Sequence, residues 1–199
     1  MWIVNAWHHF KTITKHRLKV RKYCFKAGLI RQGLVHDLSK YSWVEFSEGA
    51  KFYQGMRSPN ARAREVNGIS YAWLHHKGRN RHHLEYWIDY DPDSPMKLSG
   101  HEMPRKYVAE MAIDRICACQ VYRGENYKSD DAYKYYLNGC DKIWFINEKT
   151  KQDLKMLLYM TAEHGEEYTM KYIKNVYLKT QPDHEGKPAG TNLENHSGI

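Results

Sequence analysis

Apolar positions along this chain recur mostly every three or four residues, the spacing that lines one face of an α-helix. Ile13, Val20, Cys24 and Ala27 share such a face and Gly28 follows as a stop, which predicts a helix over residues 13–27. A shorter apolar helix, about 30–39, carries Ile30, Leu34 and Val35 after Leu29 and ends near "HDLSK". Ser42, with Glu45 three residues on, reads as a capping box that opens the next helix. Ser58-Pro59 opens another, with proline at the first helical position, and Gly68 interrupts it. "SYAWLHHKGRNRHHLEYW" reads as a helix, a turn at Gly78 and a helix resuming near Asn80, and "DYDPDSPMKLSGHEM" reads as a loop. From Pro104 a long helix over 104–122 presents Tyr107, Met111, Asp114, Ala118 and Val121 as its inner face. Further helices are expected over about 130–139 and 148–164, the latter closed by Gly165, and a last one to about Leu178. The tail from Thr180 has no periodicity and is expected to be disordered. The pattern predicts an all-α chain with one domain over residues 1–179, and Trp73, Trp87 and Trp144 in its core.

Composition sharpens this picture in three ways. With 199 residues, 42% of them hydrophobic, the chain suffices for one real core. The formal net charge of +8 suggests an anionic partner: a nucleotide, a nucleic acid or a phosphorylated small molecule. The excess is concentrated at the start, where Lys11, Lys15, Arg17, Lys19, Arg21, Lys22, Lys26 and Arg31 precede the first acid, Asp37. Cys24, Cys117, Cys119 and Cys140 have no ligand-like spacing and read as reduced thiols. The opening "MWIVNAWHHFK" is too short and lacks the cleavage site of a signal peptide, and no apolar run approaches a membrane span. A soluble, cytoplasmic protein with no membrane association is the expectation.

Three ionisable positions break the apolar pattern. His16 shares the face of Ile13, Val20, Cys24 and Ala27; His36-Asp37 ends an apolar helix; Asp114 sits within the stripe of its own helix. Alone, an inward histidine is ordinarily a hydrogen-bonded core residue, and an inward aspartate a helix cap or a salt-bridge partner. Together they require a common partner, because buried charges are paired or coordinate a metal. Imidazole and carboxylate ligands suit a divalent ion such as manganese, iron, cobalt, nickel or zinc.

The order His16, His36-Asp37, Asp114 resembles the HD-domain superfamily of metal-dependent phosphohydrolases. The matching elements are "HRLKV", "GLVHDLSK" and "VAEMAIDRICA", spread over roughly residues 13–122. The chain also looks like a small uncharacterised family sharing "HDLSK", "EF" and "HHKGRN-HH-EYW". The resemblance implies an HD-like helical bundle with extra C-terminal helices, and a metal held by His16, His36, Asp37 and Asp114. In two-metal HD proteins further histidines bind a second ion, with Asp37 as the implied bridge. One of His75 or His76 and one of His82 or His83 would serve, and His76 and His82 are taken as the pair. Those positions lie closer together here than is usual in that family, and the turn at Gly78 would fold them back together.

The implied activity is hydrolysis of a phosphomonoester or phosphodiester of a nucleotide or other small phosphorylated compound, with one or two ions per chain. Asp37 would orient the attacking water, and Lys40 would hold the phosphate or a neighbouring carboxylate. Lys77, Arg79 and Arg81 in "LHHKGRNRHH" are candidate phosphate donors, and in a competing reading they and one or more of the histidines bind phosphate beside a single metal. Glu45 is assigned to its capping box ahead of proton transfer, and Arg115, adjacent to Asp114, is expected to point away from the metal. Two other readings stay open: a di-iron oxygenase on the same fold, and a basic helical module that binds nucleic acid through residues 1–36.

Overall fold

In the computed structural model, which describes residues 2–139 and 143–180, helix α1 (Trp2–Lys26) begins well before Ile13. Its buried line is His9, Ile13, His16, Val20 and Cys24, spaced by three and four residues, so two histidines share the inward face with aliphatic side chains. Gly28 ends it with a φ of 80°, a backbone conformation that glycine adopts without strain. Cys140 and the tail beyond Thr180 lie outside the described residues.

Helix α2 (Ile30–Val35) is shorter than its pattern predicts, and its apolar residues do not face the interior: Ile30, Leu34 and Val35 are each about half exposed. The contact with α1 is made by Leu29 and Gly33 instead. A Cβ on Gly33 would stand 2.9 Å from the Cβ of Cys24 and 3.1 Å from the Phe25 ring, so α2 approaches through its smallest residue and its branched ones turn outward. The helix stops at His36. Asp37 takes a left-handed conformation (φ 53°, ψ 24°), and a 3-10 turn, Leu38–Tyr41, follows.

Helices α3 (Trp43–Lys51), α4 (Pro59–Asn67) and α5 (Tyr71–Lys77) form a layer beside α1. Ser42 holds the N-cap position of α3 without a side-chain capping bond, so the predicted capping box is not formed. The start of α5 is capped instead by Ser70, whose Oγ accepts from the Trp73 amide, and by Glu48, which accepts from the Tyr71 and Ala72 amides. No α-helix resumes at Asn80; the chain makes a turn and then a 3-10 segment, Leu84–Trp87. The segment expected to be a loop holds a two-stranded antiparallel ribbon, β1 (Ile88–Tyr90) against β2 (Leu98–Gly100). Asp91 closes its turn by accepting from the Asp93 and Ser94 amides.

Helix α6 (Arg105–Arg123) is the centre of the packing, with α1 on one side and α8 (Glu148–Tyr172) on another. Val108, Ala109, Met111, Ala112, Ile113, Ile116 and Cys117 are its buried apolar face, so Met111 of the expected stripe is buried as predicted, while Tyr107, Asp114, Ala118 and Val121 are only partly buried and Asp114 stands at the edge of that face. They meet Val20 and Cys24 of α1 and Leu154, Leu157 and Leu158 of α8. Full burial of each valine, isoleucine or leucine among them contributes about 1.5–3 kcal/mol. Helix α7 (Asp131–Asn138) covers α8, and Gly165 (φ 79°, ψ 171°) kinks α8 where a helix end was predicted. A π-helical turn, Ile173–Tyr177, finishes it. The fold is all-α apart from the ribbon. Trp87 packs against the core as expected, whereas Trp144 is 57% exposed. Among the described residues no helix is long and apolar enough to cross a membrane.

Candidate metal centre

The left-handed turn at Asp37 sets the geometry. Successive residues of a helix point in different directions, but the chain leaves helical geometry between His36 and Asp37, and both side chains enter the same interior space. Arg17, next to His16 on α1, secures the turn: its Nε donates to the His36 carbonyl at 2.8 Å. One residue of α1 therefore faces the centre while its neighbour fixes the backbone opposite.

Around Asp37 the imidazoles fall into two groups. Its Oδ2 is 3.7 Å from His16 Nε2, 3.4 Å from His36 Nε2 and 2.6 Å from Lys40 Nζ. Its Oδ1 is 3.3 Å from His76 Nε2 and 3.4 Å from His82 Nε2. Asp114 completes the first group, with Oδ1 2.9 Å from His16 Nε2 and 3.6 Å from His36 Nε2. Four potential ligand atoms, one each from His16, His36, Asp37 and Asp114, lie within 4.8 Å of one another, and so do four from Asp37, His76, His82 and His83. The candidate ligands named from the sequence, His16, His36, Asp37, His76, His82 and Asp114, thus all converge, and His83 joins them. The two pairs of adjacent histidines behave differently: in the first, His75 turns to Glu45 and His76 faces the centre, whereas in the second His82 and His83 both face it.

Two buried carboxylates brace the imidazoles from behind. Glu110 Oε1 lies 2.8 Å from His36 Nδ1 and 3.2 Å from His82 Nδ1, one histidine from each group. Glu45 reaches His75 Nδ1 at 2.6 Å and His76 Nδ1 at 2.8 Å. Glu45 is therefore no capping residue; its carboxylate is held by imidazoles across the α3–α5 contact. With Nδ1 engaged, the Nε2 atoms of His36, His76 and His82 face inward, the tautomer a metal ligand needs. Glu110 lies one turn before Asp114 within "VAEMAI", a second acid in an apolar run, and that was the available signal for it.

Electrostatics keep the carboxylates ionised. Burial alone would push the Asp37 carboxyl up, but His36, Lys40 and His76 outweigh it and hold it well below the usual range. Asp114 is likewise held well down against its burial, by His16 and His36. Burial also opposes the charge on Glu110, and bonds from His36 and His82 overcome it. Burial lowers the His16 imidazole and, with the neighbouring His82 and His76, lowers His83 strongly, which favours the neutral form of both. Burial disfavours the Lys40 ammonium, but Asp37 and then Asp114 raise it.

The Nε2 atoms of His36, His82 and His83 and the Oδ1 of Asp37 are buried without a hydrogen-bond partner, while His16 Nε2 and Asp37 Oδ2 meet Asp114 and Lys40. Orphaned buried polar atoms are rare and costly, and here they point toward one another from both sides of a carboxylate. Divalent cations would satisfy them, so the residues fit a metal of the imidazole- and carboxylate-binding kind.

The remaining candidates are arranged differently. Lys40 is at the centre, as expected. Arg79 is exposed and bonds the His75 carbonyl, and Arg81 is exposed and lies over the Tyr86 and Tyr107 rings, so neither is brought to the ligands. Lys77 is half-buried at the end of α5 and likewise makes no bond into the centre. The sequence proximity of these three to the histidines does not carry over into space because the turn at Gly78 leaves the arginine side chains in solvent.

Residues 5–161 match the family of unknown function DUF5662, and the chain belongs to that family. No curated protein and no solved structure matches it.

Proposed function

We propose that this DUF5662 protein is a divalent-metal-dependent phosphohydrolase acting on a nucleotide or another small phosphorylated compound. The observation that carries this reading is the division of Asp37: one carboxylate oxygen faces His16 and His36, the other His76 and His82. His16, His36, Asp37 and Asp114 would hold one ion, and Asp37, His76, His82 and His83 a second. Such ions supply a hydroxide near neutral pH and polarise a phosphoryl oxygen. The resemblance of "HRLKV", "GLVHDLSK" and "VAEMAIDRICA" to HD-domain phosphohydrolases points to a phosphoester as the substrate.

The protein's own contribution is orientation. Glu110 and Glu45 fix three imidazoles in the required tautomer, and Arg17 holds the turn that presents Asp37. Lys40 carries three donors, of which one is directed at Asp37, leaving the others for a phosphoryl oxygen.

Metal analysis of freshly purified protein, with turnover of p-nitrophenyl phosphate and its bis-ester, tests this reading. Asp37→Ala is expected to lose all bound metal and His82→Ala only part of it. Unchanged metal content in both variants, or no ester turnover by fully loaded protein, would overturn it. Iron loaded without oxygen provides the contrast with an oxygenase: a mixed-valent electron-spin signal together with oxygen-dependent turnover would replace hydrolysis by oxidation.

A further inference from the structure

A narrow cavity of about 60 Å³ adjoins the centre and shares a wall with it through Lys40, Glu45 and His76. Its far side is built from three separate elements: His9 of α1, the first turn of α4 at Ser58 to Asn60, and Tyr122 of α6. None of these belongs to the candidate ligand set.

The lining is rich in donors. The His9 side chain is 94% buried by its 6% exposure, and its Nδ1 has no hydrogen-bond partner. The opposite edge of that ring is seated against α3, where a Cβ on Gly49 would fall 2.3 Å from His9 Nε2. The nine-residue helix α4 has no acid in its first turn and no side-chain cap; Pro59 has no N–H and the Ala61 amide bonds the Ser58 carbonyl, so the Asn60 amide is the donor its positive end brings to the same space. Lys40 adds an ammonium and Tyr122 a phenol. The one acidic group in the wall, Glu45, has its two oxygens occupied by His75 and His76. A cleft of this kind attracts an anion.

We propose that this cavity receives the terminal phosphoryl group of a small phosphomonoester, and inorganic phosphate as the product. The inference rests on the phosphohydrolase reading for its substrate, and on the cavity for its site. Room of about 60 Å³ exceeds what a single water needs and leaves space for a tetrahedral oxyanion. A terminal phosphoryl group can enter with its organic substituent trailing outward.

Calorimetric titration of inorganic phosphate into manganese-loaded protein tests the site, with metal content and circular dichroism recorded for each variant. Asn60→Asp places a negative charge in the first turn of α4 at a partly exposed position that tolerates it, and Tyr122→Phe removes one donor. Both are expected to keep full metal content while binding phosphate about tenfold or more weakly, the effect of losing one hydrogen bond to a charged group. His9→Ala is expected to behave in the same way if it folds. Phosphate binding of equal strength in wild type and both variants would overturn the cavity as its site, while leaving the phosphohydrolase reading intact. Absence of phosphate binding by loaded wild-type protein would overturn it too. Weakened phosphate binding in the variants of a protein that hydrolyses no ester would support the anion site and remove the hydrolase reading alone.

Discussion

Glu110 Oε1 lies 2.8 Å from Nδ1 of His36, and this buried pair decides which nitrogen of that imidazole looks into the centre. The same oxygen lies 3.2 Å from His82 Nδ1, so one carboxylate on α6 orients a histidine from each of the two groups around Asp37. Glu110→Gln is therefore expected to weaken both candidate ions together, by about 10–100-fold each, as the loss of a carboxylate behind a metal-bound imidazole does. Glu45→Gln, whose imidazole partners are His75 and His76, should weaken the second alone. Competition titrations with a chromogenic chelator measure both, and identical affinities in wild type and Glu110→Gln would show that the carboxylate has no orienting role.

Burial, with the nearby charge of Lys40 adding to it, pushes the His9 imidazole down from 6.5 to about 4. The unfolded chain takes up that proton first, so this group's effect on stability grows more unfavourable as pH falls from about 6.5 to about 4 and is absent at pH 7 and above. In chelator-treated protein, wild type is expected to lose roughly 2–3 kcal/mol more than His9→Gln between pH 7 and pH 4. Urea unfolding at the two pH values gives the difference. Parallel losses in the two proteins would mean that His9 protonates freely in the folded state.

Gly100 ends β2 where the ribbon crosses the segment before α8: a Cβ there would lie 1.8 Å from the Phe145 carbonyl oxygen. A backbone atom cannot rotate aside. Gly100→Ala is expected to cost about 1–3 kcal/mol or more. Gly78→Ala is the contrast, because its φ of −75° is ordinary and its nearest neighbour is 3.5 Å away; it should be neutral or stabilising by up to about 1 kcal/mol. Thermal unfolding of the two variants ranks them, and a tolerant Gly100→Ala would show that the ribbon can move away from α8.

Metal binding and folding should be linked through the orphaned atoms around Asp37. Adding manganese, iron(II) or zinc to chelator-treated protein is expected to raise its stability, by about 2.7 kcal/mol at a free concentration one hundred times the Kd. Asp37→Ala should abolish the gain. A wild-type midpoint indifferent to every divalent ion would argue against the centre as a metal site.

Four of the converging residues were visible without coordinates, because His16, His36, Asp37 and Asp114 each interrupt an apolar helical pattern and an ionisable group at such a position needs a partner inside. His76 and His82 came from the resemblance and the histidine-rich "LHHKGRNRHH", which could not separate the members of each pair. Glu45 was misread because Ser-x-x-Glu is a valid local solution for a helix start, and only the packing of α3 against α5 shows that two imidazoles claim the carboxylate. Arg79 and Arg81 were misplaced for the converse reason: closeness along the chain says nothing about the side of a turn on which a long side chain emerges.

Periodicity and glycine placement alone determined that the chain is helical and where several helices stop, because both depend on interactions a few residues apart. Helix α2 marks the limit of that reasoning. Its apolar residues promise burial, yet the close approach of Gly33 to Cys24 turns them to solvent. The left-handed turn at Asp37, the sharing of that carboxylate between two sets of imidazoles, and the cavity between His9, Asn60 and Tyr122 belong to the tertiary structure. Each arises where elements distant in sequence meet, and no local pattern specifies their mutual orientation.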